Sequence, residues 1–174
     1  MPHGLRPAFW YLLLLLAHLT LMCPTPAASE PVVLEVRDTQ SGALILLVHL
    51  PRDPCFYFRY THSTAKTEVE EHFKVVGREE IVIERMIYAS GGAGIPDSPP
   101  AGATFRVADG RFVLDGINKR FPSLERIRVA YFYPFILGTR EAEHRLSDLA
   151  RGRLVDIRIR PQAGENDRRS QRYD

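Results

Sequence analysis

Cysteine is scarce in this 174-residue chain, which holds Cys23 and Cys55 and no others. A disulfide framework of several bridges is therefore excluded. Long apolar runs are scarce too. The span from Ala8 to Met22, broken by His18 and Thr20, is short of the roughly 20 residues that cross a bilayer as a helix. Net charge is nearly absent, at +2. Without a strong field there is no case for nucleic-acid binding or for steering polyanions. Helical periodicity is missing almost throughout, which argues against a strand–helix–strand architecture. No Gly-x-Ser-x-Gly elbow is present, and no glycine-rich loop leads into a helix with Lys. Those absences count against a serine hydrolase of that type and against a nucleotide cradle.

The first 28 residues have the plan of a secretory signal peptide. A weakly basic start (His3, Arg6) precedes apolar Leu12–Leu16 and Leu19–Met22, then Pro24, Pro26 and the small residues Ala27, Ala28 and Ser29. Cleavage after Ala27 or Ala28 is expected, placing the folded part outside the cytoplasm, in the periplasm. The alternatives are an uncleaved N-terminal anchor or lipid attachment at Cys23, although Leu21 and Met22 suit a lipoprotein signal poorly. Loss of the leader removes Arg6 from 23 basic side chains, leaving 22 against 21 acidic ones. It also leaves Cys55 alone, with no internal partner. Following Pro54 at the entry to an apolar strand, Cys55 is expected to be buried and inert.

What is present is strand after strand. Val32 to Arg37 alternates and a turn follows over 38–42. Leu44 to Leu50 is nearly continuously apolar, as for a strand covered on both sides. Ile81 to Ala89 is β-branched. Asp109-Gly110 between Thr104–Val107 and Arg111–Leu114 is a strong hairpin signal. Leu124 to Tyr133 puts Ile127, Val129, Tyr131 and Tyr133 on one face, with the aromatic set mostly in the core. Val155, Ile157 and Ile159 alternate with charged neighbours. The stretch over 147–150 fits one capped helical turn ending near Gly152. These features predict a single all-β domain over 30–160, an antiparallel sandwich or small barrel, and a disordered tail over 161–174.

The stretch from Phe56 to Val76 carries the chemistry. Phe56, Phe58, Tyr60 and His62 share one strand face; Val69, Glu71, Phe73 and Val75 share another. Matching the apolar faces sets Tyr60 opposite Glu71 and His62 opposite Val69, with a loop from Ser63 to Glu68. Glu71 then points the same way as Phe and Val, where a carboxylate must be paired, hydrogen-bonded or protonated. Two readings follow. In one, His62 donates to a ligand at a pocket mouth, Ser63 adds a hydroxyl and Glu71 fixes the imidazole. In the other, Glu71 accepts from Tyr60, His62 or loop N–H groups in a purely structural network. Adjacent residues on a strand face opposite ways, so His62 and Ser63 make a poor catalytic pair. No residue is assigned as catalytic.

A metal site is not expected, because His72 and Glu70 lie on the face opposite His62 and Glu71. His72 is expected beside Arg59, with Glu70 in a surface charge pair. The loop over 90–100 packs Gly91, Gly92 and Gly94 close together and continues to Pro96, Pro99 and Pro100. Its N–H groups suit anion binding, and its length equally suits a plain sheet-closing loop.

Tyr60-x-His62-Ser63, then Val69-x-Glu71-x-Phe73, then Gly92-Ala-Gly94-x-Pro96 resembles the bacterial family named domain of unknown function 1850, over roughly 34–159. The chain departs at Thr64, where the family has an apolar residue, and at Glu68, where Pro is frequent. The resemblance implies a small exported protein encoded beside TRAP-type transporters of the TAXI subclass. Transporter components are the implied partners, and no cofactor is implied. The resulting expectation is a non-enzymatic extracytoplasmic accessory acting by protein interaction or small-solute binding. Its site candidates are Tyr60, His62, Ser63, Glu71, Gly92, Gly94 and Pro96. The alternative is a small periplasmic enzyme using His62 and Glu71.

Overall fold

A computed structural model describes residues 31–77, 79–91 and 98–162. The proposed leader, the centre of the glycine loop and most of the proposed tail lie outside these residues. In chain order the elements are β1 (Val32–Asp38), β2 (Leu44–His49), β3 (Cys55–Thr61), β4 (Glu68–Val76), β5 (Glu80–Tyr88) and β6 (Thr104–Ala108). Then come β7 (Arg111–Phe121), β8 (Leu124–Arg128), β9 (Phe135–Gly138), β10 (Glu143–Arg145), α1 (Leu146–Leu149) and β11 (Leu154–Pro161). The fold is all-β and sandwich-like.

Two antiparallel sheets form it. The smaller has the order β2-β1-β11-β8 and the larger β10-β9-β3-β4-β5-β7-β6. Their inner faces meet in one core. Leu34, Val36, Val155 and Ile157 from the small sheet join a cluster with Phe56, Phe58, Phe73 and Ile81 from the large one. Period-2 alternation delivers these side chains: Phe56 and Phe58 are buried, and so are Val69, Phe73 and Val75 across the hairpin. Phe56 stacks on Phe73 at 5.0 Å, and Phe58 meets Phe135 of β9 at 5.5 Å. The large sheet carries register shifts between His72 and Phe73 and between Ile83 and Arg85. Such bulges bend strands and increase their twist.

Several expectations need correction. β2 is an edge strand, with Leu44 and Leu47 exposed, so its apolar run does not mark double-sided cover. The strand expected over 124–133 ends at Arg128. Tyr131, Phe132 and Tyr133 lie in a bend outside the core, and Phe132 is 86% exposed. Pro134 follows them and has no N–H to extend a ladder. Ser147 sits inside the helical turn rather than capping it, and its buried hydroxyl accepts the Phe135 N–H at 3.4 Å. β9 and β10 were not anticipated.

The β3–β4 register also differs. Phe58 faces Glu71 and Tyr60 faces Val69, two residues from the expected pairing. His62 is not opposite Val69. It leaves the strand, its N–H bonding the Thr67 carbonyl at 2.8 Å while its own carbonyl accepts from Lys66 N at 2.9 Å. A slip of two keeps every side chain on its face, so burial alone does not choose between the two registers. The turn closed by His62 does.

Candidate functional site

Between the middle strands of the large sheet and β8, an edge strand of the small one, lies an open cleft of about 700 Å³. Phe58, Tyr60, Phe73 and Phe135 wall it from the large sheet; Leu124 and Ile127 wall it from β8. A volume of this size is typical of small-molecule sites, as is an apolar wall with few polar groups.

Glu71 stands in this wall because β4 alternates. It shares its face with Val69 and Phe73 and projects into the cleft instead of to bulk water. Its Oε1 accepts the Tyr60 hydroxyl at 3.0 Å. Among the described residues, Tyr60 is the hydrogen-bond partner of this carboxylate, and no cation is paired with it. Burial raises the Glu71 carboxyl above its ordinary 4.5, and the Tyr60 hydrogen bond offsets only part of that rise. Tyr60 is raised as well, by burial first, then by the Glu71 charge and the shared hydrogen bond. Its ring stacks on Phe135 at 5.3 Å, which fixes the direction of the hydroxyl.

His62 and Ser63 reach the same cleft from the hairpin turn. The imidazole does not lean on Glu71, as one reading had it. Its Nδ1 accepts the Ala65 N–H at 3.1 Å, so the ring caps its own turn. In the neutral ring that leaves Nε2 as the donor nitrogen. A second contact ties this turn to the glycine loop: the hydroxyls of Thr67 and Ser90 lie 3.2 Å apart. Thus Tyr60, His62, Ser63 and Glu71 converge on one cleft. Gly92, Gly94 and Pro96 lie outside the described residues.

On the opposite face of the hairpin, His72 bonds Glu70 at 3.1 Å and stacks on Tyr57 at 5.6 Å. Across the hairpin His72 faces Tyr57 and Arg59 faces Glu70, and Arg59 grips Glu143 of β10 at 2.9 Å. No group of three or more potential ligands able to hold a metal occurs among the described residues. Cys55 is half-buried rather than buried. Burial, then the Asp53 charge and hydrogen bond, push its thiol up to about 11.

Hairpin patterning does not reveal Phe121, Leu124, Ile127 and Phe135 as cleft walls. They come from strands distant in sequence. The alternation of Phe135 with Leu137, both buried, was the available signal.

Residues 56–146, more than half of the chain, match the model of the family described as Domain of unknown function (DUF1850). No curated protein and no solved structure matches.

Proposed function

The chain belongs to this family, and we propose that it is a non-enzymatic extracytoplasmic accessory of a TRAP-type (TAXI) solute transporter. In this reading it binds a small solute in the inter-sheet cleft. The supporting observation is the cleft itself: apolar walls around a recessed carboxyl, with His62 and Ser63 at one end. The arrangement favours holding over converting. His62 and Ser63 are chain neighbours at a turn, and the Nδ1 of His62 is already engaged by backbone. The extracytoplasmic location comes from the leader-like N-terminus, and the transporter association from the gene setting that the resemblance implies.

Two measurements test it. Tagged protein taken from the periplasm is expected to retain the co-encoded transporter subunits. A screen of solutes carried by that transporter is expected to raise the Tm of the wild-type protein. Soluble protein recovered only from the cytoplasm with Met1 or Pro2 retained would sink the reading. So would a failure of both transporter retention and solute stabilisation. Turnover of a bound solute would replace it with an enzyme acting through His62 and Glu71.

A further inference from the structure

We propose that the cleft receives an organic ammonium ion, a cationic nitrogen carried on an apolar body, with Glu71 as its counter-ion. The inference rests on the solute-binding reading and names the class of solute.

Three observations converge. First, five aromatic rings line the cleft: Phe58, Tyr60, Phe73, Phe121 and Phe135. Aromatic faces attract cations, most strongly where water is excluded, and aromatic cages are a known way to recognise quaternary ammonium groups. Second, Glu71 is recessed among them and Tyr60 occupies only Oε1, so its carboxylate keeps further acceptor positions for a ligand. Third, the other charged groups do not neutralise it. Glu125 and Arg128 of β8 also line the cleft, both as exposed residues at its rim, and each is engaged elsewhere, Glu125 accepting from Ser123 at 2.9 Å and Arg128 donating to the Gly152 carbonyl at 2.9 Å. His62 faces the cleft from the turn.

The alternatives fit less well. An anionic head would meet Glu71, while Arg128, the guanidinium at the rim, is already engaged by the Gly152 carbonyl. A purely apolar solute would strip water from the carboxylate and return nothing to it. An ammonium group satisfies the carboxylate and the ring faces together, while its hydrocarbon body fills the apolar walls.

Burial disfavours the charged form of Glu71, and a bound cation favours it. Affinity for a permanently charged ammonium is therefore expected to rise with pH as Glu71 ionises, and then to level off. A Glu71→Gln variant is expected to lose that slope.

The test is calorimetric titration of the folded wild-type protein with benzyltrimethylammonium, benzyl alcohol and phenylacetate, which share a ring and differ in the head. The expected result is binding of the ammonium at least tenfold more tightly than either other probe. Glu71→Gln is expected to lose at least tenfold for the ammonium alone. If Glu71→Gln does not fold, the wild-type ranking and its pH dependence decide. Equal or tighter binding of the alcohol or the carboxylate overturns the inference while leaving solute binding intact. Undiminished ammonium binding by folded Glu71→Gln does the same. No binding by any of the three probes also overturns it, and the transporter-solute screen then decides the broader reading separately.

Discussion

Glu71 is placed against its own stability. A carboxyl whose folded pKa is raised above 4.5 is more easily protonated in the folded state than in the unfolded one. Its contribution is fully present below the unfolded pKa and is lost as pH rises through the folded value. Above that point the deficit is constant. Glu71→Gln keeps an acceptor for the Tyr60 hydroxyl and removes the charge. Its Tm is therefore expected to match wild type below the unfolded pKa and to exceed it increasingly as pH rises from there through the folded pKa. Scanning calorimetry across that range checks it, and a Tm gap that does not widen with pH refutes the assignment. Glu71→Ala removes the acceptor as well. Leaving a buried hydroxyl unpaired costs about 1–3 kcal/mol. Because the cleft is open to water, the low end of that range is expected in denaturant unfolding.

At the scale of elements, the wall of the cleft depends on how β8 is held. Arg126 takes a positive φ of 55° within that strand, and the β8–β11 ladder shifts register between Val155 and Ile157. Asp156 of β11 braces the irregularity, accepting the Arg126 N–H at 2.9 Å and the Thr39 hydroxyl at 2.7 Å. Burial alone would raise its pKa; these hydrogen bonds, with help from Arg158, bring it below 3.8 instead. Its stabilisation is thus present above the unfolded pKa and is lost as pH falls through the folded one. Asp156→Ala is expected to cost about 1–3 kcal/mol in denaturant unfolding, and to weaken cleft binding by releasing Leu124 and Ile127. An unchanged midpoint would show that β8 stands without the brace. Neither Asp156 nor the positive φ of Arg126 shows in an alternating pattern, so this half of the cleft was hidden in the sequence. Asp109-Gly110 was legible because both turn residues need positive φ, observed at 52° and 72°, and that chemistry is local. The placement of Glu71 and its bond to Tyr60 were legible too, because alternation assigns faces. The register was not, since a slip of two preserves the faces. β9 and β10 are four and three residues long, too short to show a period.

The whole molecule is two sheets sharing one core, with β3 near the middle of the larger sheet between β4 and β9. Separating β3 from both neighbours means opening that core. Cys55 stands at the start of this strand and is the one free cysteine among the described residues, so it serves as a built-in reporter of that event. The thiolate is the reactive form. Burial, with Asp53 at its side, moves this thiol from an ordinary 9.0 to about 11. At pH 8 such a shift leaves about a hundredfold less thiolate than in the unfolded chain. Alkylation of folded protein carrying Cys23→Ser is therefore expected to run about a hundredfold slower than in denaturant at the same pH. Asp53→Asn removes the neighbouring charge without opening the core, and is expected to recover part of that rate at unchanged Tm. If folded and unfolded chains react alike, the thiol is not held as described and β3 opens without the rest of the sheet. If Asp53→Asn leaves the folded rate unchanged, burial alone protects the thiol, and its labelling reports strand separation directly.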